Sequence, residues 1–238
     1  MSAAPLVTLA DEAVLRPVRG GNAFEETVER LLSTIRLGVV AAGDRLPPER
    51  ELAATLRVSR VTVREAIRAL AAAGYVESRR GRYGGTFVLP PRTRQPVARP
   101  EGPAVDDVLL LRAALETGAA EAAAGADLGP HERQHLRRRL DECAAASLTE
   151  YRRADSRLHL AIAELTGSTS LTAAVADVRM KVNELLDAIP LLERNLVHSN
   201  QQHRAIVAAV LDGEPETARQ AMAEHLDGTT ALLHGFLT

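Results

Sequence analysis

Residues 43–88 read GDRLPPERELAATLRVSRVTVREAIRALAAAGYVESRRGRYGGTFV, and the punctuation of that stretch leaves few folds open. Pro48 can occupy the first turn of a helix, where its missing N–H costs nothing, and Glu49 and Glu51 suit the positive end of the helix dipole. The spacing predicts a short helix ending near Leu56. Ser59 is a suitable N-cap for a second helix, along which Val63, Ile67, Leu70 and Ala71 recur at helical spacing. Gly74 stops that helix as a C′ residue. Tyr75-Val76-Glu77-Ser78 then alternates as a strand does, Gly81 and Gly84-Gly85 supply a turn, and Thr86-Phe87-Val88 returns as the partner strand. Upstream, Phe24, Val28, Leu31, Leu32 and Ile35 mark an amphipathic helix expected to pack beneath the second one. Helix, turn, helix and hairpin follow in winged helix-turn-helix order.

The arginines turn this fold into a functional expectation. Arg60 and Arg64 lie one turn apart at the start of the second helix, the end that enters a major groove in this docking mode, and arginine can hold guanine O6 and N7 together. Ser59 and Thr62 stand beside them with hydroxyls able to reach phosphate or base edges, and Arg50 is placed to reach the DNA backbone. Arg79, Arg80 and Arg82 crowd the hairpin tip, within reach of phosphates or a minor groove. Any one of these arginines alone reads better as a solvated surface charge. The set, on this scaffold, reads as a DNA interface.

GDRLPPERELA, VSRVTVREAIRALAAAGYV and GGTFV, in that order, resemble the DNA-binding domain of the GntR family of bacterial transcription regulators, over the span from Phe24 to Val88. By that resemblance Arg50, Ser59, Arg60, Val61, Thr62 and Arg64 match positions that contact operator DNA, with Gly81 at the wing tip. Arg57 departs from the pattern, since family members often carry glycine in that turn. A positive φ there would cost about 1 kcal/mol.

Charge is distributed accordingly. The chain's formal net charge is −2, but residues 1–95 hold 15 arginines against 10 acids, and residues 96–238 hold 14 basic and 21 acidic residues. A basic head beside an acidic body suits a protein of which only the head approaches a polyanion. Cys143 is the sole cysteine, so no intrachain disulfide forms. No apolar run reaches the roughly 20 residues of a membrane span, and Met1–Ala10 lacks the character of a signal peptide, so a cytoplasmic protein without a membrane partner is expected.

Leu89 to Pro103, LPPRTRQPVARPEGP, is too dense in proline for a regular helix and reads as a linker. It divides a winged domain at 22–88 from an all-α domain at 104–238. Helices are expected at about 105–125, 131–147, 149–166, 170–188, 190–212 and 214–236, broken at Gly125 to Pro130, Gly167, Pro190 and Gly213 to Pro215. Such lengths make an antiparallel bundle. The expected fold class is therefore mainly α, an N-terminal winged helix-turn-helix with a small β-hairpin followed by an all-α antiparallel bundle.

Within the bundle, Asp155 and His159 are four residues apart on one helix, so a carboxylate and an imidazole share a face. His203 and His225 lie on two later helices. An isolated Asp-x-x-x-His reads better as a helix-surface hydrogen bond, although three histidines and an aspartate make a sensible donor set for Zn²⁺, Ni²⁺ or Mn²⁺. The segments LRAALETGAAEAAA, DSRLHLAIAELTGSTSL and HRAIVAAVLDGEPETARQAMAEHL resemble the FCD-type ligand-binding domain of the FadR branch of the GntR family. That resemblance implies that Asp155, His159, His203 and His225 ligate a divalent metal and that Arg112 helps hold an acidic effector. Other constellations carry less. Glu132 and His135 form a single Glu-x-x-His where a di-iron bundle needs two, Arg137 to Arg139 read as an exposed charge run, and the GSTS around Ser168 and Ser170 is no nucleophile elbow. His198 is a further candidate beside the four ligands.

Two classes of function compete at this point. One is a homodimeric regulator, a repressor by preference, that binds a palindromic operator and answers to a small organic acid held at a metal. The other is a metal-dependent hydrolase or lyase with an appended nucleic-acid module. The second lacks HExxH, a P-loop, or a spare general base beside the proposed ligands, so no enzyme is expected.

Overall fold

Arg57 ends the first helix of the reading motif in the left-handed region, at φ 55° and ψ 41°, and that single residue redirects the chain toward the second helix. The computed structural model describes Val18 and residues 21–36, 40–81, 84–90 and 105–237. Among them are nine helices and one two-stranded sheet. They divide into two compact units, Met1–Ala98 with Ala231–Thr238, and Arg99–Thr230.

In the first unit, α1 spans Ala23–Arg36, α2 Glu49–Leu56 and α3 Arg60–Ala72. The expected apolar face of α1, Phe24, Val28, Leu31, Leu32 and Ile35, is buried, and α1 packs against α3. Each such side chain removed from water contributes about 1.5–3 kcal/mol. Thr27 and Thr34 are buried too, and each returns its hydroxyl to the carbonyl four residues earlier, so neither is left unsatisfied. Ser59 caps α3 as expected, its Oγ accepting the Thr62 N–H at 3.0 Å. Pro48, by contrast, stands one residue ahead of α2 at the cap position, with ψ 144°. Gly74, at φ 75°, provides the stop after α3.

The wing is β1 (Val76–Arg79) paired antiparallel with β2 (Gly85–Val88), with Val76 opposite Val88. The segment before α2 lies on the other side of β2. Leu46 N–H donates to Thr86 O at 2.8 Å, and Arg45 bridges to Phe87. Sequence reading missed this third extended segment, because Gly43 to Pro47 has no alternating pattern.

The second unit contains α4 (Val105–Ala124), α5 (Pro130–Ala145), α6 (Tyr151–Glu164), α7 (Thr169–Asp187), α8 (Glu193–Asp212) and most of α9 (Pro215–Leu237). The expected breaks hold. Gly129 precedes Pro130 at the start of α5, Gly167 turns at φ 69°, and Gly213 closes α8 in the left-handed region. Leu136, Leu158, Ile162, Ile206, Val207 and Met222 form the centre of one apolar core, drawn from α5, α6, α8 and α9.

One boundary differs from the span 104–238 read from the sequence. Ala231–Thr238 group with the first unit, where Phe236 meets Tyr75 edge-on at 5.9 Å. A Cβ at Gly235 would lie 3.1 Å from Glu29 Cα, so glycine permits this close approach. Of the linker expected at 89–103, only Leu89 and Pro90 are among the described residues. Leu89 N–H donates to Tyr75 O at 2.9 Å.

Candidate functional site

Helical spacing on α6 points Asp155 and His159 from one face, α8 contributes His203, and α9 contributes His225. All four are buried, and one ligand atom from each lies within 4.8 Å of every other. The Nε2 atoms of His203 and His225 are 3.3 Å apart, and Asp155 Oδ1 lies 3.2 Å from His203 Nε2 and 3.7 Å from His159 Nε2. Three imidazoles so close cannot all carry charge. Burial lowers the His225 pKa well below the ordinary value, with His203 and His159 reinforcing the effect, and burial lowers that of His159 as well. A neutral imidazole with Nε2 turned to the cluster, as at His159 and His225, is the form that binds a metal.

The opposite ring nitrogens are held by neighbours. His159 Nδ1 lies 2.5 Å from Glu116 Oε2, and His225 Nδ1 lies 3.3 Å from Gln202 Oε1. An Nδ1–H facing each oxygen fixes the tautomer that leaves Nε2 free, as outer partners of metal-binding histidines do. The His159 contact is short but bent from the ideal hydrogen-bond direction. Two buried groups this close and of opposite tendency interact electrostatically. His203 Nδ1 faces Cys143 Sγ at 3.8 Å, a thiol whose pKa burial pushes up to about 12. The thiol lies against the far nitrogen of that ring and is not among the converging donors.

Three further charged groups lie in the same interior. Arg112 and Glu116 on α4 pair at 3.2 Å, and Arg179 on α7 pairs with Asp155 Oδ2 and lies 3.8 Å from Glu116 Oε1. Burial alone would raise the carboxylate pKa values. The Arg179 guanidinium, with His159, instead holds Asp155 well below its usual range, while His159, Arg112 and Arg179 hold Glu116 below its own. Arg179 grips Oδ2 and leaves Oδ1 turned to the histidines. The Arg112 Nη1 and the Arg179 Nε and Nη1 have no hydrogen-bond partner despite complete burial. Buried N–H groups in that condition favour an anion.

The four expected donors lie together and Arg112 lies in the same interior, while Arg179 and Glu116, also there, were not among the expected residues. Glu116 stands one helical turn after Arg112, a spacing that could have signalled it. Arg179 carries no such mark, because its partner Asp155 is 24 residues distant. The weaker candidates stay outside. His135 lies beside Arg138, Glu132 accepts the Gly129 N–H, Arg138 and Arg139 pair with Glu142, and His198 is not one of the converging donors.

In the first unit, Arg50, Ser59, Arg60, Val61, Arg64, Arg79, Arg80 and Gly81 are exposed and Thr62 is half-buried. Several are engaged locally. Thr62 and Ser59 share the helix cap, Arg64 forks onto Glu49, and Arg79 pairs with Glu77 while lying over the Phe87 ring at 4.5 Å. Arg60 and Arg80 form no ion pair among the described residues and occupy the α3 start and the wing tip. Arg82 lies outside the described residues.

Residues 23–88 match the family model described as bacterial regulatory proteins, gntR family, and residues 107–228 match the FCD domain. This chain belongs to the GntR family. Its FCD domain covers the metal-type cluster, and its GntR domain covers the winged fold. The Uxu operon transcriptional regulator of Escherichia coli (strain K12) is 32% identical, over 82% of this chain and 80% of that protein. The HTH-type transcriptional repressor NanR of Cronobacter sakazakii is 30% identical, over 91% and 87%. A solved Streptococcus agalactiae GntR chain is 25% identical with a TM-score of 0.46, over 86% and 97%. GntR proteins are transcription regulators rather than enzymes, and this one is a regulator of the GntR/FCD type. Among the described residues, no helix is long and apolar enough to cross a membrane.

Proposed function

We propose that this chain is a cytoplasmic, homodimeric repressor whose operator affinity is set by a small carboxylate bound beside a divalent metal. The convergence of Asp155, His159, His203 and His225 in a buried site carries that reading. The donor set fits Zn²⁺, Ni²⁺ or Mn²⁺, with one carboxylate oxygen and three imidazole nitrogens whose far sides are held by other groups. A metal there would supply a Lewis-acid position for an effector carboxylate. The protein's own part is to neutralise and orient that effector. Arg112 has a spare Nη1 and Arg179 a spare Nε and Nη1, all shielded from water. In that surrounding a guanidinium–carboxylate contact is far stronger than on a surface.

Arg50, Ser59, Arg60, Val61, Thr62 and Arg64 would serve as the major-groove set, with Arg79, Arg80, Gly81 and Arg82 at the wing. A palindromic site calls for two copies of that set. Support for a dimer comes from Leu110 on α4 and Met180 on α7, which are 73% and 65% exposed on helices that pack together.

The test is an electrophoretic mobility assay with a duplex selected by the protein from a randomised library, run with a panel of small carboxylates. Each is measured on zinc-loaded and chelator-treated protein. Release of the duplex by at least one acid, on loaded protein only, is the expected result. Release independent of metal, or by no acid, removes the metal-effector reading while leaving DNA binding intact.

A further inference from the structure

Glu49 is oddly placed for a protein that approaches a polyanion. It opens α2 and reaches across to α3, where its Oε2 lies 2.9 Å from Arg64 Nη2 and 3.2 Å from Nε, and its Oε1 lies 3.3 Å from Nε. The side chains are 44% exposed for Arg64 and 32% for Glu49. A pair that open adds little to stability. A carboxylate on the reading face also repels phosphates, so its cost falls on DNA affinity. Neither folding nor general attraction to DNA accounts for the contact.

Guanidinium geometry does. Of the five N–H donors of arginine, Glu49 engages the edge formed by Nε and one hydrogen of Nη2. The terminal edge, between Nη1 and Nη2, stays unspent. That edge offers two parallel donors of the kind that meet O6 and N7 of a guanine. Held at its other edge, the arginine also loses less rotamer freedom on binding.

We propose that Glu49 is a positioning residue for sequence readout, presenting the terminal edge of Arg64 to a base in the major groove. This rests on the reading of Arg64 as a base-contacting residue. Glu49 thereby gives up affinity for DNA in general to sharpen the choice among sequences.

The probes are a duplex selected from a randomised library by wild-type protein and a scrambled duplex of equal length, at one fixed salt concentration. Dissociation constants are measured for wild type, Glu49→Ala, Glu49→Gln, Arg64→Ala and the Glu49→Ala/Arg64→Ala double variant. Glu49→Ala is expected to bind the scrambled duplex slightly tighter and the selected duplex more weakly, lowering the ratio between them roughly fivefold to tenfold. Glu49→Gln keeps one acceptor oxygen at the same reach and should retain most of the ratio, whereas a purely electrostatic role makes Gln and Ala behave alike. In the Arg64→Ala background, removal of Glu49 should leave the ratio unchanged. An undiminished ratio in Glu49→Ala overturns the proposal, and a raised one means that Glu49 competes with DNA for Arg64. If Arg64→Ala itself leaves the ratio intact, the base-reading role of Arg64 fails first, and the role of Glu49 fails with it.

Discussion

His203 and His225 come from helices α8 and α9, and their Nε2 atoms stand 3.3 Å apart with Asp155 Oδ1 beside the first. Two ring nitrogens at that distance can both reach one metal ion. His203→Ala and His225→Ala should each lower metal affinity more than tenfold, since a polydentate site loses that much with one ligand. Metal content by mass spectrometry and the metal-dependent rise in Tm are the measurements. Full occupancy in the double variant would show that the donor set is wrong.

Arg112 is both an effector candidate and half of a buried ion pair. Arg112→Ala leaves the Glu116 carboxylate with less compensation and should destabilise the protein by about 3–5 kcal/mol even without effector. Arg112→Lys keeps the charge but loses the fork. It should therefore spare most of the stability while removing at least tenfold of the effector's influence on operator binding. Calorimetric titration of the active acid into both variants distinguishes lost binding from lost folding.

Stability of the metal-free protein should fall with pH. Burial keeps His159 and His225 neutral in the fold against the attraction of Asp155 and, for His159, of Glu116, while in the unfolded chain both take up protons below about pH 6.5. The unfolded state then binds more protons, and the stabilisation present above that pH is lost on acidification. The loss amounts to at most about 1.4 kcal/mol per histidine for each pH unit. Tm should decline between pH 7.5 and 5.5 in chelator-treated protein, and the His159→Gln/His225→Gln variant should show a shallower decline. An equal slope in both would rule out these histidines as its source.

Arg60→Ala should weaken binding to a selected duplex by about 1–3 kcal/mol and spare a scrambled one, as a base contact does. Arg80→Ala should weaken both and reduce the slope of log Kd against log salt by about one unit. Fluorescence anisotropy at three salt concentrations tests the pair together, and a common loss on both duplexes for Arg60→Ala would reassign it to the backbone.

Sequence reading reached the elements bounded by strong local signals. Ser59, Gly74, Gly167 and Gly213 each enforce a backbone state or a cap, so helix ends followed from single residues. The metal-type cluster was legible through family resemblance, because the spacing of Asp155 and His159 alone cannot say that α8 and α9 bring two more imidazoles to them. Arg179 escaped because a buried ion pair between helices leaves no periodic trace. The local engagement of Arg64 and Arg79 escaped for a related reason. Their partners Glu49 and Glu77 look like ordinary surface acids until the backbone places them.

Arg57 at last stands where glycine was expected, and it holds φ 55° without one. Glycine there should relieve about 1 kcal/mol of strain in the fold, although it also frees the unfolded chain.

The position of Ala231–Leu237 bears on how the molecule is made. A ribosome releases the helices and wing of the reading head early, but Phe236, which covers Tyr75, and Gly235, which lets α9 close on Glu29, emerge only after the whole FCD region. A nascent chain thus carries a DNA-reading head whose last apolar cover has yet to be synthesised. The reading head thus draws part of its own unit from residues that follow the FCD region in the chain.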